Sequence, residues 1–210
     1  MVGGLKTHEQ ALKRWNERYS AQGYLFGETP NAYLVSKANL LPAHGRALSV
    51  ADGEGRNSTW LATRGLKVDA FDFSPVGVAK ARTFAAARGV AVEYAVADAI
   101  AVAWPKAVYD VIAAIFIQFA SAAERAILFR RIGAALKPGG LFILQGYRAE
   151  QLAYRTGGPG ELSQLYTPEQ LRIELAGLEI IDLAVYDTEI YEGSGHRGMS
   201  ALVGLTARKA

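Results

Sequence analysis

The chain has 210 residues, half of them hydrophobic and a fifth charged, a balance that lets a globular chain bury roughly 70% of its unfolded surface without staples. It contains no cysteine, which excludes a disulfide framework, a thiolate metal site and a cysteine nucleophile, and His8, His44 and His196 lack local ligand spacing, so no metal is expected. The net charge of +3 is scattered, which argues against nucleic acid; the longest apolar stretch, Val111 to Ile117, falls far short of the ~20 residues a span needs, so a cytoplasmic protein with no membrane partner is expected.

In chain order, Ala11, Leu12, Trp15 and Tyr19 recur at three- and four-residue spacing and predict a first helix. Thr29-Pro30 reads as an N-cap followed by proline at the first helical position, opening a helix to about Leu40. Strand and helix then alternate. Ala47 to Ala51 is a strand, Gly53-Glu54-Gly55 a turn and Asn57 to Thr63 a helix; Leu66 to Phe73 is a strand, Ser74-Pro75 a cap and Val76 to Arg88 a helix. Val90 to Ala97 and Tyr109 to Ile117 are further strands. A helix from Ala122 to Leu136 is stopped by Lys137-Pro138-Gly139-Gly140, and Leu141 to Tyr147 is the fifth strand.

Thr167-Pro168-Glu169-Gln170 reads as a capping-box start for a helix to about Ala176. Two last strands, Glu179 to Tyr191 and Met199 to Ala207, flank Gly193-Ser194-Gly195-His196-Arg197-Gly198 and should pair antiparallel, since a parallel return needs a long crossover. The class is therefore α/β: a parallel sheet covered on both faces, with ligands bound where strand carboxyl ends meet the topological switch. One domain is expected, divided into a helical cap (1–44), a core (45–147) and an acceptor-side loop, helix and strands (148–210).

Gly53-x-Gly55 follows the first strand directly, where a backbone free of side chains and a helix N-terminus attract a ligand. A dinucleotide fingerprint would place a third glycine at Ser58. Asp72, 19 residues beyond Gly53, could accept from ribose hydroxyls, and Asp98 after the third strand could accept from an adenine amino group. Each alone reads equally as a turn or cap residue; their recurrence at successive strand ends points to a nucleoside cofactor.

The segments Leu48 to Ala62, Val68 to Val78 with Phe71-Asp72-Phe73-Ser74-Pro75, Val96-Ala97-Asp98, Tyr109 to Ile112 and Leu136 to Leu141 resemble the ordered motifs of class I S-adenosylmethionine-dependent methyltransferases. Trp15-Asn16-Glu17-Arg18-Tyr19 and Tyr24-x-Phe26-Gly27-x-x-Pro30-Asn31 resemble the branch of the tellurite-resistance and thiopurine methyltransferases. The resemblance implies a single Rossmann-like, doubly wound, mostly parallel seven-stranded sheet with a C-terminal antiparallel hairpin and an N-terminal helical cap. It implies direct in-line methyl transfer from S-adenosylmethionine to a small-molecule nucleophile, yielding S-adenosylhomocysteine.

By the same resemblance Asp72 contacts the ribose, Phe73 packs on the adenine, Asp98 and Ala99 meet its edge, and Gly53 and Gly55 hold the methionine end. Ala51, Asp52 and Asn57 belong to that loop, and Ile115 to Gln118 lie near the transferable methyl. The family's acid at position 49 is Ser49 here and its glycine at 51 is Ala51, so Asp52 or a backbone carbonyl would hold the cofactor's ammonium. Tyr19, Tyr24 and Phe26 would cover the site, or simply form an aromatic cluster. Gln118, Tyr147, Tyr154, Tyr166 and His196 are candidates for the acceptor side, with His196 as a possible base. Two other readings stand beside this one. One is an NAD-dependent oxidoreductase, to which Tyr33-x-x-x-Lys37 offers a superficial Tyr–Lys pair in the wrong chain order; the other is a non-catalytic cofactor-binding protein.

Overall fold

In the computed structural model, which describes residues 8–210, seven strands form one sheet. They are β1 (Arg46–Val50), β2 (Lys67–Asp72), β3 (Val92–Val96), β4 (Tyr109–Ile115), β5 (Leu136–Tyr147), β6 (Glu179–Glu192) and β7 (His196–Arg208), in the order β3-β2-β1-β4-β5-β7-β6. The first five run parallel, and β7 lies antiparallel between β5 and β6. The expected mostly parallel sheet with an antiparallel hairpin is present. The first seven residues of the expected cap lie outside the described residues.

Central strands are apolar on both sides, and alternate residues feed two cores. Val111 and Ala113 of β4, with Leu141 and Ile143 of β5, pack with Leu34 of α2 (Ala32–Ser36) and Leu61 of α3 (Arg56–Thr63). Ile112, Ala114, Phe142 and Leu144 face the other way, against Leu128, Phe129 and Ile132 of α5 (Ala122–Ala135) and Leu171 of α7 (Pro168–Glu174). Each fully buried Val, Leu, Ile or Phe among them contributes about 1.5–3 kcal/mol, so both layers hold the strand ends firmly. Helices α1 (His8–Tyr19), α4 (Pro75–Ala87) and the short α6 (Gln151–Tyr154) complete the set among the described residues.

Local chemistry moves several boundaries. Asn31 rather than Thr29 caps α2, its side-chain oxygen accepting from Leu34 N at 3.1 Å. The helix is a single turn followed by a 3₁₀ turn, Ala38–Leu40, instead of one helix to Leu40. Lys137-Pro138-Gly139-Gly140 ends α5 but already belongs to β5, with a register irregularity where Leu136 pairs Tyr109. Thr167 caps α7, yet Gln170 does not close the box. Its amide reaches Glu174 at 3.2 Å, a residue held by the two-pronged Arg125 pair at 2.9 Å. The last hairpin turn is tighter than expected, and His196 opens β7 opposite Glu192.

Candidate functional site

Strand order reverses at β1, with β2 on one side and β4 on the other, so their carboxyl ends open a crevice. A cavity of about 400 Å3 fills it, roofed by α1 and the chain that follows. Ala51 (φ +49) and Phe116 (φ +56), at the ends of β1 and β4, both line it in the left-handed region. Such non-glycine residues cost of order 1–3 kcal/mol each and cluster at ligand sites.

The half of the cavity over β1–β3 is acidic. Asp72 accepts the N–H of Gly53 on one oxygen and that of Ser74 on the other, both at 2.9 Å. Burial pushes its carboxyl up to about 6, against the pull of those donors. Asp52 turns back over β1: Ser49 donates its hydroxyl at 2.6 Å, and Ser58 donates both its N–H and its hydroxyl. Burial raises this carboxyl to about 6 as well, with the Asp72 charge adding to the shift. None of the ion pairs among the described residues involves either carboxylate. The third acid, Asp98, accepts from Ile100 N at 2.7 Å and lies 3.2 Å from His8 Nδ1. His8 also meets the Phe73 ring edge-on at 5.6 Å.

Over β4 and the hairpin the wall is aromatic. The hairpin tip seats on the loop after α1: Gly195 N–H donates to the Leu25 carbonyl at 2.8 Å, and Gly193 (φ +63) lies where a Cβ would collide with Leu25. This docking places the His196 ring 4.4 Å from Phe26 and 4.3 Å from Phe116, with Tyr147 edge-on at 5.6 Å. Behind it, His196 Nδ1 lies 3.3 Å from Glu192, which also receives Arg56 at 2.7 Å and the Asn31 amide at 3.0 Å. Burial works to raise Glu192, but the His196 bond and the Arg56 guanidinium outweigh it and hold the carboxyl at about 2. His196 is displaced below its ordinary value, burial outweighing the bond to Glu192.

A family model for the methyltransferase domain matches residues 47–140. The match spans β1 to the start of β5, a little under half of the chain, and marks this segment as similar to a methyltransferase domain. No curated protein matches the chain. Among solved structures it is similar to TehB from Haemophilus influenzae (16% identity, 96% of this chain, 68% of that one, TM-score 0.70). An S-adenosylmethionine-dependent methyltransferase from Methanosarcina mazei is also similar (19%, 86% and 98%, TM-score 0.65), as is the [4+2]-cyclase SpnF (19%, 97% of each, TM-score 0.71). At these identities the likeness is one of fold.

Two features of this chain set it apart from the dinucleotide-binding alternative. The antiparallel β7 between β5 and β6 departs from the 3-2-1-4-5-6 order of that fold. Ser58, at the position of the third glycine, holds the Asp52 carboxylate in the loop, where a pyrophosphate would meet like charge. Tyr33 and Lys37 both bond to Asp182 of β6, at 2.9 and 2.6 Å, and tie α2 to the hairpin; neither lines the cavity.

The cavity brings together Tyr19, Phe26, Ala51, Asp52, Gly53, Asn57, Asp72, Phe73, Asp98, Ala99, Ile115 and His196 of the expected residues. Tyr19 and Phe26 are both cluster and wall, with Trp15 stacked on Tyr19 at 5.3 Å. Six expected residues do not line it. Gly55 (φ +93) is glycine because a Cβ would meet Ala81 of α4 at 2.9 Å, a packing constraint. Tyr24 turns away onto Phe84, 4.9 Å edge-on. Gln118 is consumed by the backbone, giving its amide hydrogens to the Tyr147 and Gln164 carbonyls at 2.9 Å and accepting Tyr147 N–H at 2.5 Å. Tyr166 is buried against Phe129, and Tyr147 stands one layer back, behind Phe116 and His196. Tyr154, the remaining acceptor-side candidate, is half-buried and donates to Asp187 at 2.8 Å. Sequence reasoning missed Trp15, Arg56, Glu192 and Phe119. Only Glu192 left a signal, as an acid four residues before a histidine across a glycine-rich turn.

Proposed function

We propose that the chain works as one unit that transfers a methyl group to a small-molecule nucleophile by direct in-line displacement. The observation that carries this reading is a pair of carboxylates, buried Asp72 and half-buried Asp52, with no cationic partner among the described residues, at the strand ends of the cavity. Such a wall favours a cationic nucleoside and disfavours an anionic one. Asp72 would accept from the ribose hydroxyls, Phe73 would pack on the adenine, and Asp98 with the Ala99 amide would meet its edge. Asp52, drawn onto Ser49, would supply at that point the charge that holds an ammonium.

When bound, S-adenosylmethionine supplies a methyl group on an already activated sulfonium. The protein's remaining work is to align the acceptor and exclude water, which the aromatic roof of Trp15, Tyr19 and Phe26 favours. Thiols, amines, phenols, halides and tellurite, screened for S-adenosylhomocysteine release, test the proposal. Release with at least one small acceptor supports it; release with none of them, but with a protein or nucleic acid, contradicts it.

A further inference from the structure

What the acceptor must be follows from the wall opposite the acids, given the methyltransferase reading above. Phe26, Phe116, Phe119 and Trp15 make that wall apolar and aromatic, and the Phe26 and Phe116 rings flank His196. The cationic group lining the cavity, Arg56, is spent on Glu192 at 2.7 Å and on the Phe26 and Thr29 carbonyls at 3.1 and 3.3 Å. Among the described residues that line the cavity, an anionic acceptor would find no free lysine or arginine, while Asp52, Asp72, Asp98 and Glu124 line the same space. A cationic acceptor would meet the positive charge of the donor.

The pair behind the aromatic wall narrows the class further. An ionised Glu192 can only accept hydrogen bonds, so the His196 nitrogen facing it at 3.3 Å carries the proton, and Nε2 of the neutral ring keeps its lone pair. Glu192 is itself fixed by Arg56 of α3 and Asn31, so it is a built support for an imidazolium. Groups facing His196 are Glu192 from β6, Arg56 from α3, Arg18 from α1 and Tyr147 from β5. A halide has no proton to give such a base, and a metalloid oxyanion would bring its negative charge to the acidic cavity.

We propose that the acceptor is an uncharged aromatic molecule carrying a hydroxyl, held among Phe26, Phe116 and His196, whose proton passes to His196 with Glu192 as positioning residue. An oxygen lone pair forms the new O–C bond as the methyl–sulfur bond breaks; the bonding pair stays on sulfur and the O–H proton goes to Nε2. The products are an aryl methyl ether, S-adenosylhomocysteine and an imidazolium that Glu192 stabilises until solvent takes the proton.

The test uses the full chain loaded with S-adenosylhomocysteine and titrated calorimetrically with 2-naphthol or with tellurite. The expected result is saturable 2-naphthol binding, weakened at least tenfold by Phe116→Ala, and no tellurite binding. In turnover with 2-naphthol, His196→Gln should lower the rate about 100-fold or more with S-adenosylhomocysteine affinity retained. Glu192→Gln should move the acid limb of the pH–rate profile to lower pH, a change that a merely structural residue would not cause. Absent naphthol binding, tellurite binding in its place, or a His196→Gln rate equal to wild type each overturns the proposal. Failure of S-adenosylhomocysteine itself to bind would instead overturn the methyltransferase reading beneath it.

Discussion

The half of the cavity proposed for the donor is assembled from three successive strand ends, whereas the half proposed for the acceptor is gathered from the loop after α1, the end of β4 and the last hairpin. The first is held by backbone: Gly53 and Ser74 N–H groups fix Asp72, and Ile100 N–H fixes Asp98. The second is held by side chains, through Arg56, Glu192, His196 and Asn31. A backbone-built site tolerates substitution around it, because its donors come with the fold. A site built from a buried charged network fails when one member is removed.

The largest expected effect is therefore on the acceptor half. Glu192→Leu leaves the buried Arg56 charge unpaired and should cost about 3–5 kcal/mol of stability in urea denaturation. A loss below about 1 kcal/mol would mean the network does not hold the hairpin tip. In the donor half, Asp72→Ala should weaken S-adenosylmethionine binding by about 1–3 kcal/mol if its ribose hydrogen bonds are made. Unchanged affinity in calorimetry would remove Asp72 from the site.

Acidity gives a smaller, graded effect on the same half. Burial raises Asp72 and Asp52 to about 6, and donor binding needs them ionised as acceptors. Affinity should hold above pH 6 and weaken as pH falls through that value, by up to about tenfold per pH unit for each group. A flat affinity between pH 5 and pH 7, or one that tightens in acid, would contradict it. The smallest effect is at Tyr24, which packs on Phe84 outside both halves: Tyr24→Leu should cost about 0.5–1.5 kcal/mol of stability and leave donor affinity within about twofold. A large loss of affinity would return Tyr24 to the site.

The same contrast explains what was legible in the sequence. Strand–loop–helix units are local, so Asp72, Asp98 and the loop around Gly53 could be placed by counting from strand ends. Gly55, read with them, proved to be a close-packing position set by Ala81, a contact between helices that the loop's own sequence does not encode. Gln118, Tyr147 and Tyr166 lie on the right segments, but their tips or rings are taken up by backbone and core. Arg56 and Glu192, 136 residues apart, meet only because the hairpin folds back over the loop after α1. No local pattern carries such a long-range pair. Ser49 and Asp52 lie between these cases: the serine in place of an acid is legible in the sequence, and the hydrogen bond that draws the Asp52 carboxylate onto it belongs to the three-dimensional fold.

Calorimetry of the full chain with S-adenosylmethionine, S-adenosylhomocysteine and NAD tests the central claim most directly. Saturable binding of both sulfur nucleosides with no NAD response is the predicted result. Tight NAD binding with no response to the other two would contradict it.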